Sequence, residues 1–211
     1  MTSPYKEIDV STWPRRSTFE FFKDFEDPFF NITANIDVTS LRRFCRANDI
    51  SYSLAALFYS QQVVNSIGEF RVRLLDGKVV EFDSVESTQT ILNDDETFSF
   101  CYFEAKPTVE EFAAAGRKAV EKYRALKTFD VETERIDLVY HSAIPWVSFT
   151  SFKHATRTGR QLSCPRIVFG KVFADGESEK MPVSVEVHHA LIDGVHVGKY
   201  FNTFQEMIDA L

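Results

Sequence analysis

Three of the chain's five histidines fall within nine residues, His188, His189 and His196, with Asp193 and Gly194 between them. Imidazole is the side chain best suited to carry a proton near neutral pH. A carboxylate nearby can order a loop or a ring, and Gly194 would let the backbone turn sharply. His188, His189, Asp193 and His196 are also potential metal ligands. Against a shared ion, adjacent strand residues point to opposite faces, and no HExxH or facing cysteine pair accompanies them. A hydrogen-bonded structural histidine is the other alternative, and spacing alone does not choose between it and a proton carrier.

The elements that must hold this cluster are readable from periodicity. Val183, Val185 and Val187 share one face of a strand expected over residues 183–188. Val197, Tyr200, Phe201, Phe204, Met207, Ile208 and Leu211 repeat at three and four, which predicts a helix. His189 and Asp193 therefore fall at a strand-to-helix junction. Upstream, Ser17-Thr18-Phe19-Glu20 has capping-box spacing and predicts a helix through Phe25, ended by Asp27-Pro28. Alternation from Phe30 to Val38 predicts a strand, followed by helices over 40–47 and 53–66, the second ended by Gly68.

Asp76-Gly77 reads as the turn of a hairpin pairing 71–75 with 78–82. Strand-like residues run from Thr88 to Phe103, broken near Asn93-Asp94-Asp95. Thr108 to Glu111 forms a second capping box, before a helix with Phe112, Gly116, Val120 and Tyr123 on one face. Further strands are expected at 136–140, 147–152 and 166–173. The expected fold class is α+β, a two-layer sandwich of a mixed sheet flanked by helices, in one domain over residues 1–211.

Composition narrows the function. The 211 residues carry 24 basic and 31 acidic side chains, a net charge of −7, which disfavours a nucleic-acid binder. No apolar run approaches a membrane span, and residues 1–10 lack an apolar stretch behind a basic cluster, so a cytoplasmic location is expected. Cys45, Cys101 and Cys164 are widely spaced and fit reduced thiols. Twenty-one phenylalanines are enough to fill a core and also line an apolar pocket.

The segment from Val187 to Gly198, containing His188-His189-Ala190-Leu191-Ile192-Asp193-Gly194, resembles the HHxxxDG signature of the chloramphenicol acetyltransferases. Their fold is shared by dihydrolipoyl acyltransferase cores, which keep a shorter HxxxDG. Ser142 to Phe152 resembles the family's SANPWVSFTSF segment, Asp9 to Arg15 its amino-terminal Trp-x-Arg stretch, and Glu69-Phe70-Arg71 also has a counterpart. The likeness spans nearly the whole chain. A dihydrolipoyl acyltransferase would normally bring lipoyl domains and Pro/Ala linkers, which these 211 residues lack. A non-catalytic homologue would not need His189, Ser142, Asp193 and Arg15 together.

The resemblance implies a mixed-sheet acyltransferase fold, a homotrimer with active sites between subunits, and acetyl transfer from acetyl-CoA to a hydroxyl of chloramphenicol, without a metal. His189 would be the general base, Ser142 the donor to the oxyanion, and Asp193 the partner of Arg15 rather than a relay to His189. Phe22, Phe98, Phe129 and His154 match acceptor-pocket positions, and Tyr52 and Lys171 match positions near the coenzyme. Three residues depart from the pattern. Val168 replaces a frequent threonine, His154 a frequent leucine, and Glu26 stands near an apolar pocket position. A different hydroxylated small molecule is the alternative acceptor.

Overall fold

A computed structural model describes residues 3–126, 135–156 and 163–211. In chain order the elements are β1 (Tyr5–Glu7), α1 (Arg16–Phe22), β2 (Phe29–Asp37), α2 (Thr39–Ala47), α3 (Tyr52–Ser66), β3 (Val72–Leu75) and β4 (Lys78–Phe82). They continue with β5 (Glu86–Leu92), β6 (Phe98–Phe103), α4 (Val109–Leu126), β7 (Leu138–Ile144), β8 (Arg166–Gly170), β9 (Phe173–Asp175), β10 (Ser178–His188) and α5 (Gly194–Asp209).

The main sheet runs β2-β10-β8-β7-β5-β6, with β9 pairing β10 beside that path. It is mixed: β8, β7 and β5 run parallel, and β10 is antiparallel to both β2 and β8. Helices cover one face. His141 on β7 meets Ser60 of α3, and Phe169 on β8 meets Phe204 of α5, so odd-numbered positions of both strands face the helices. Val183, Val185 and Val187 are fully buried there with Val197, Tyr200, Phe204 and Ile208, the apolar stripe of α5. Burying each such side chain contributes roughly 1.5–3 kcal/mol, which fixes α5 against β10 and sets the loop between them.

Even-numbered positions carry Ser142, Val168, Ser184, Glu186 and His188 onto the other face. A smaller antiparallel sheet, β1-β4-β3, closes one end. Its hairpin turns at Asp76 (φ 49°) and Gly77 (φ 79°), the left-handed geometry that Asp-Gly tolerates. Fully buried Arg73 donates to the carbonyls of Phe70, Val72, Ile136 and Leu138, tying β3 to the start of β7.

Several expectations are corrected. The first helix starts at Arg16 and ends at Phe22 without a side-chain cap, so Ser17 is inside it. Phe25, expected inside that helix, lies beyond its end, and Phe21 (65% exposed) and Phe25 (46%) pack with Phe22 as an open ring cluster. No strand forms over 147–152. Pro145 lacks the N–H that would extend β7, Trp146 and Val147 are exposed, and the chain crosses the sheet irregularly. Phe149 lies so close to Gly170 that a Cβ there would sit 3.0 Å from its ring. Gly194 is simply the first residue of α5, with no positive φ, and the sharp turn expected of it is not made. The strand over 166–173 divides into β8 and β9.

Candidate active site

Between the end of β10 and the start of α5, five residues carry the chain across the sheet edge with His189 held from several sides. Its backbone N–H donates to Pro28 O at 2.8 Å. Its ring stacks on Phe22 at 4.0 Å and 10°, with Phe30 tilted against it at 4.5 Å. Nδ1 is buried, makes no hydrogen bond, and stands 3.3 Å from Asp193 Oδ1. The side chain is still about a third exposed, which leaves Nε2 as the nitrogen open to an acceptor. His188 points the other way, edge-on to Phe29, and burial followed by the charge of His189 lowers its pKa to about 4.

Asp193 accepts from the Arg15 guanidinium through Oδ2. That hydrogen bond, more than the opposing burial, holds the carboxyl below the usual carboxylate range. Arg15 also reaches the carbonyl of His189 at 3.4 Å, so one cation contacts both ends of the turn. The backbone N–H of Asp193 donates to His196 Nδ1 at 2.9 Å, and His196 Nε2 faces Glu69 Oε1 at 3.3 Å. The sequence had offered His196 as a proton carrier or ligand and gave Glu69 no role.

Ser142 lies elsewhere. Its hydroxyl on β7 hydrogen-bonds Thr90 Oγ1 of β5 at 3.0 Å. Register pairs Ser142 with Val168 and Val168 with Ser184, so His189 is five residues further along and two strands across. At about 3.3 Å per residue and about 4.8 Å per strand, the two are about 19 Å apart. The chain thus gathers His189, Asp193, Arg15 and Phe22 in one place and leaves Ser142 in another. Phe98 on β6 is exposed, and its even-numbered neighbour Phe100 pairs with Thr90, so Phe98 shares the Ser142 face. Phe129 lies outside the described residues.

His154 crosses that same face. Its N–H donates to Glu186 Oε2 at 3.2 Å, its Nδ1 stands 3.4 Å from Glu186 Oε1, and Arg166 donates to Oε1 at 2.6 Å. Burial opposes the Glu186 charge, but the hydrogen bonds from His154 and Arg166 outweigh it and keep the carboxyl below its ordinary range. Glu26 is exposed and adds nothing to this network. Tyr52 donates its hydroxyl to Met181 Sδ at 3.1 Å and burial raises its pKa, whereas Lys171 is exposed at the end of β8.

A cavity of about 450 Å³ opens beside Thr90, lined by Ala143, Pro145, Trp146 and Leu54, with Arg117 and Arg124 contributing cations. Among the described residues, no group of three or more His, Cys, Asp or Glu side chains is arranged for a metal, and no helix is long and apolar enough to cross a membrane. All three cysteines are buried thiols.

Residues 3–205 match the family model described as chloramphenicol acetyltransferase. A chloramphenicol acetyltransferase of Proteus mirabilis is 30% identical over 203 residues, 96% of this chain and 94% of that protein. A solved chloramphenicol acetyltransferase superposes with a TM-score of 0.86 at 24% identity, covering 97% of this chain and all of that one. The cubic core of a pyruvate dehydrogenase multienzyme complex shares the fold at a TM-score of 0.65 and 14% identity, over 86% of this chain and 81% of its own.

Proposed function

The chain belongs to the chloramphenicol acetyltransferase family, and on that premise we propose that it transfers the acetyl group of acetyl-CoA to a hydroxyl of chloramphenicol. The observation that carries this reading is the fixed histidine: His189 has Nδ1 sealed, Nε2 open and its ring clamped between Phe22 and Phe30. Nε2 takes the acceptor's hydroxyl proton while the oxygen attacks the thioester carbon. Ser142 donates to the resulting oxyanion, its own oxygen receiving a hydrogen bond from Thr90. Collapse breaks the C–S bond, and the leaving thiolate recovers the proton from His189. Acetyl ester and free CoA result. Arg15 and Asp193 hold the loop rather than move a proton.

A separation of about 19 Å between His189 and Ser142 leaves no single chain able to do this alone. The site is therefore completed by a second copy, and closed association of three chains builds three equivalent sites. The open rings of Phe21 and Phe25 beside His189 fit burial at such a contact. The acceptor lies among Phe22, Phe98 and His154. Acetyl-CoA approaches Ser142 through the cavity under Trp146, where Arg117 and Arg124 suit phosphates; Tyr52 and Lys171, outside that lining, are kept as coenzyme contacts on the family resemblance alone. The chain works in the cytoplasm, where acetyl-CoA is made.

One observation favours a second reading, the same transfer to a more polar hydroxylated molecule. The Arg166–Glu186–His154 network places charge on the Ser142 face. Thiol release from acetyl-CoA, with chloramphenicol and then with a panel of hydroxylated compounds, decides between them. Chloramphenicol-dependent release supports the first reading. Release only with other acceptors supports the second, and release with none overturns both.

A further inference from the structure

Two features remain without a role in that scheme: the third histidine of the cluster, His196, and Glu69 in the short turn before β3. They meet. His196 Nε2 stands 3.3 Å from Glu69 Oε1, and His196 Nδ1 accepts the backbone N–H of Asp193 at 2.9 Å. An N–H pointing at Nδ1 requires that nitrogen to be unprotonated, so the ring's one proton sits on Nε2, toward the Glu69 carboxylate. His196 is only 7% exposed, and burial, the largest influence on it, lowers its pKa and favours this neutral form.

We infer that His196, oriented by Glu69, is a positioning residue for the general base. It fixes the backbone of Asp193, the far end of the turn that begins at His189. Arg15 grips the Asp193 side chain and the His189 carbonyl, which constrains the carboxylate but not the peptide N–H. Without an acceptor at Nδ1, that N–H is left buried or turns toward water, and the turn moves with it. A shift of about 1 Å in a catalytic group costs on the order of 10²-fold in rate. The Glu69 turn thereby acts on His189 through two hydrogen-bonded groups, without touching the acceptor.

This inference rests on His189 being the base, and the test separates the two claims. Asn places its Oδ1 where His has Nδ1, so His196→Asn keeps an acceptor for the Asp193 N–H and loses the contact with Glu69. Gln places its amide near Nε2, so His196→Gln does the reverse. We expect His196→Asn to keep kcat within about threefold and His196→Gln to lower it at least tenfold, with both KM values within twofold. Glu69→Gln, which keeps the shape and weakens the orientation, should fall between them. Thermal unfolding of each variant reports general damage separately.

A second readout needs no turnover. Modification of His189 by diethyl pyrocarbonate, followed on the peptide that contains it, should be several-fold faster in His196→Gln than in wild type or His196→Asn. Equal kcat in all three proteins, or equal loss in Asn and Gln, overturns the positioning role. Wild type inactive with every acceptor refutes the acetyltransferase reading instead, and the modification rates still decide whether His196 positions His189.

Discussion

His189 and Ser142 are carried by the same sheet yet stand about 19 Å apart, five residues along the strands and two strands across. No side-chain rotation closes that gap. Each nevertheless has its own support. His189 is stacked on Phe22 and tied through its loop to Arg15, and Ser142 is bonded to Thr90. Two half-sites at different places on one chain are what a site shared between copies requires.

His189→Ala should lower chloramphenicol-dependent thiol release by at least about 10²–10⁴-fold, the usual contribution of a general base. The protein should keep its unfolding temperature within a few degrees, since the imidazole packs on rings but has no hydrogen-bond partner at Nδ1. Near-normal turnover would mean that another group accepts the proton.

Ser142→Ala should reduce kcat about 10²–10³-fold while changing either KM little, because the bond to the oxyanion forms mainly in the transition state. Thr90→Val should cost less, about threefold to tenfold in kcat, by releasing the orientation of the Ser142 hydroxyl. A Thr90 effect confined to KM would show that Thr90 contacts a substrate rather than Ser142.

Arg15→Met and Asp193→Asn should each impair turnover, and the double variant should be no worse than the more damaging single change. The two groups share one ion pair, so their effects are coupled, and a double-mutant cycle on kcat and on unfolding measures it. Additive losses would mean that the residues act independently.

His189 and Asp193 were legible because a short stretch of chain holds them: the strand, the loop and α5 follow one another, and periodicity marks both elements. The hairpin at Asp76-Gly77 was legible for the same local reason. Partners distant in sequence were not. Thr90 is 52 residues from Ser142, and only the parallel pairing of β5 with β7 brings them together. Glu69 and His196 meet because Tyr200 of α5 stacks on Phe70, the residue after Glu69 in the turn before β3. The irregular path over 147–152 was misread as a strand because Val147 and Phe149 look like strand residues. Pro145 ends the ladder just before them.

Acid should destabilise the fold in a defined window. Burial lowers the pKa of His141 to about 3, and burial followed by His189 lowers that of His188 to about 4, from an ordinary 6.5. Both stay neutral when folded and protonate more readily when unfolded. Their stabilisation is whole above pH 6.5 and is lost as pH falls from there toward 4 and 3. Each group costs up to about 1.4 kcal/mol per pH unit, less near pH 6.5 itself, so the pair costs about 3 kcal/mol between pH 6.5 and 5. Urea unfolding across that range measures it. His141→Val, which leaves Ser60 bonded to Tyr200, should flatten the slope and leave the share of His188 and of His196, whose pKa burial also lowers. An unchanged slope would show that His141 is not the titrating group.

The claim of a shared site is tested most directly by co-assembling His189→Ala chains with Ser142→Ala chains and measuring thiol release from the mixed oligomers. Each variant alone should be nearly inactive. In mixed assemblies, a contact that joins His189 of one chain to Ser142 of the other has both groups intact, and equal mixing makes about one contact in four of this kind. The account predicts recovery of up to about a quarter of wild-type activity. Mixed oligomers, verified by mass, that show no activity beyond the two variants alone would contradict it and require both groups to act within one chain.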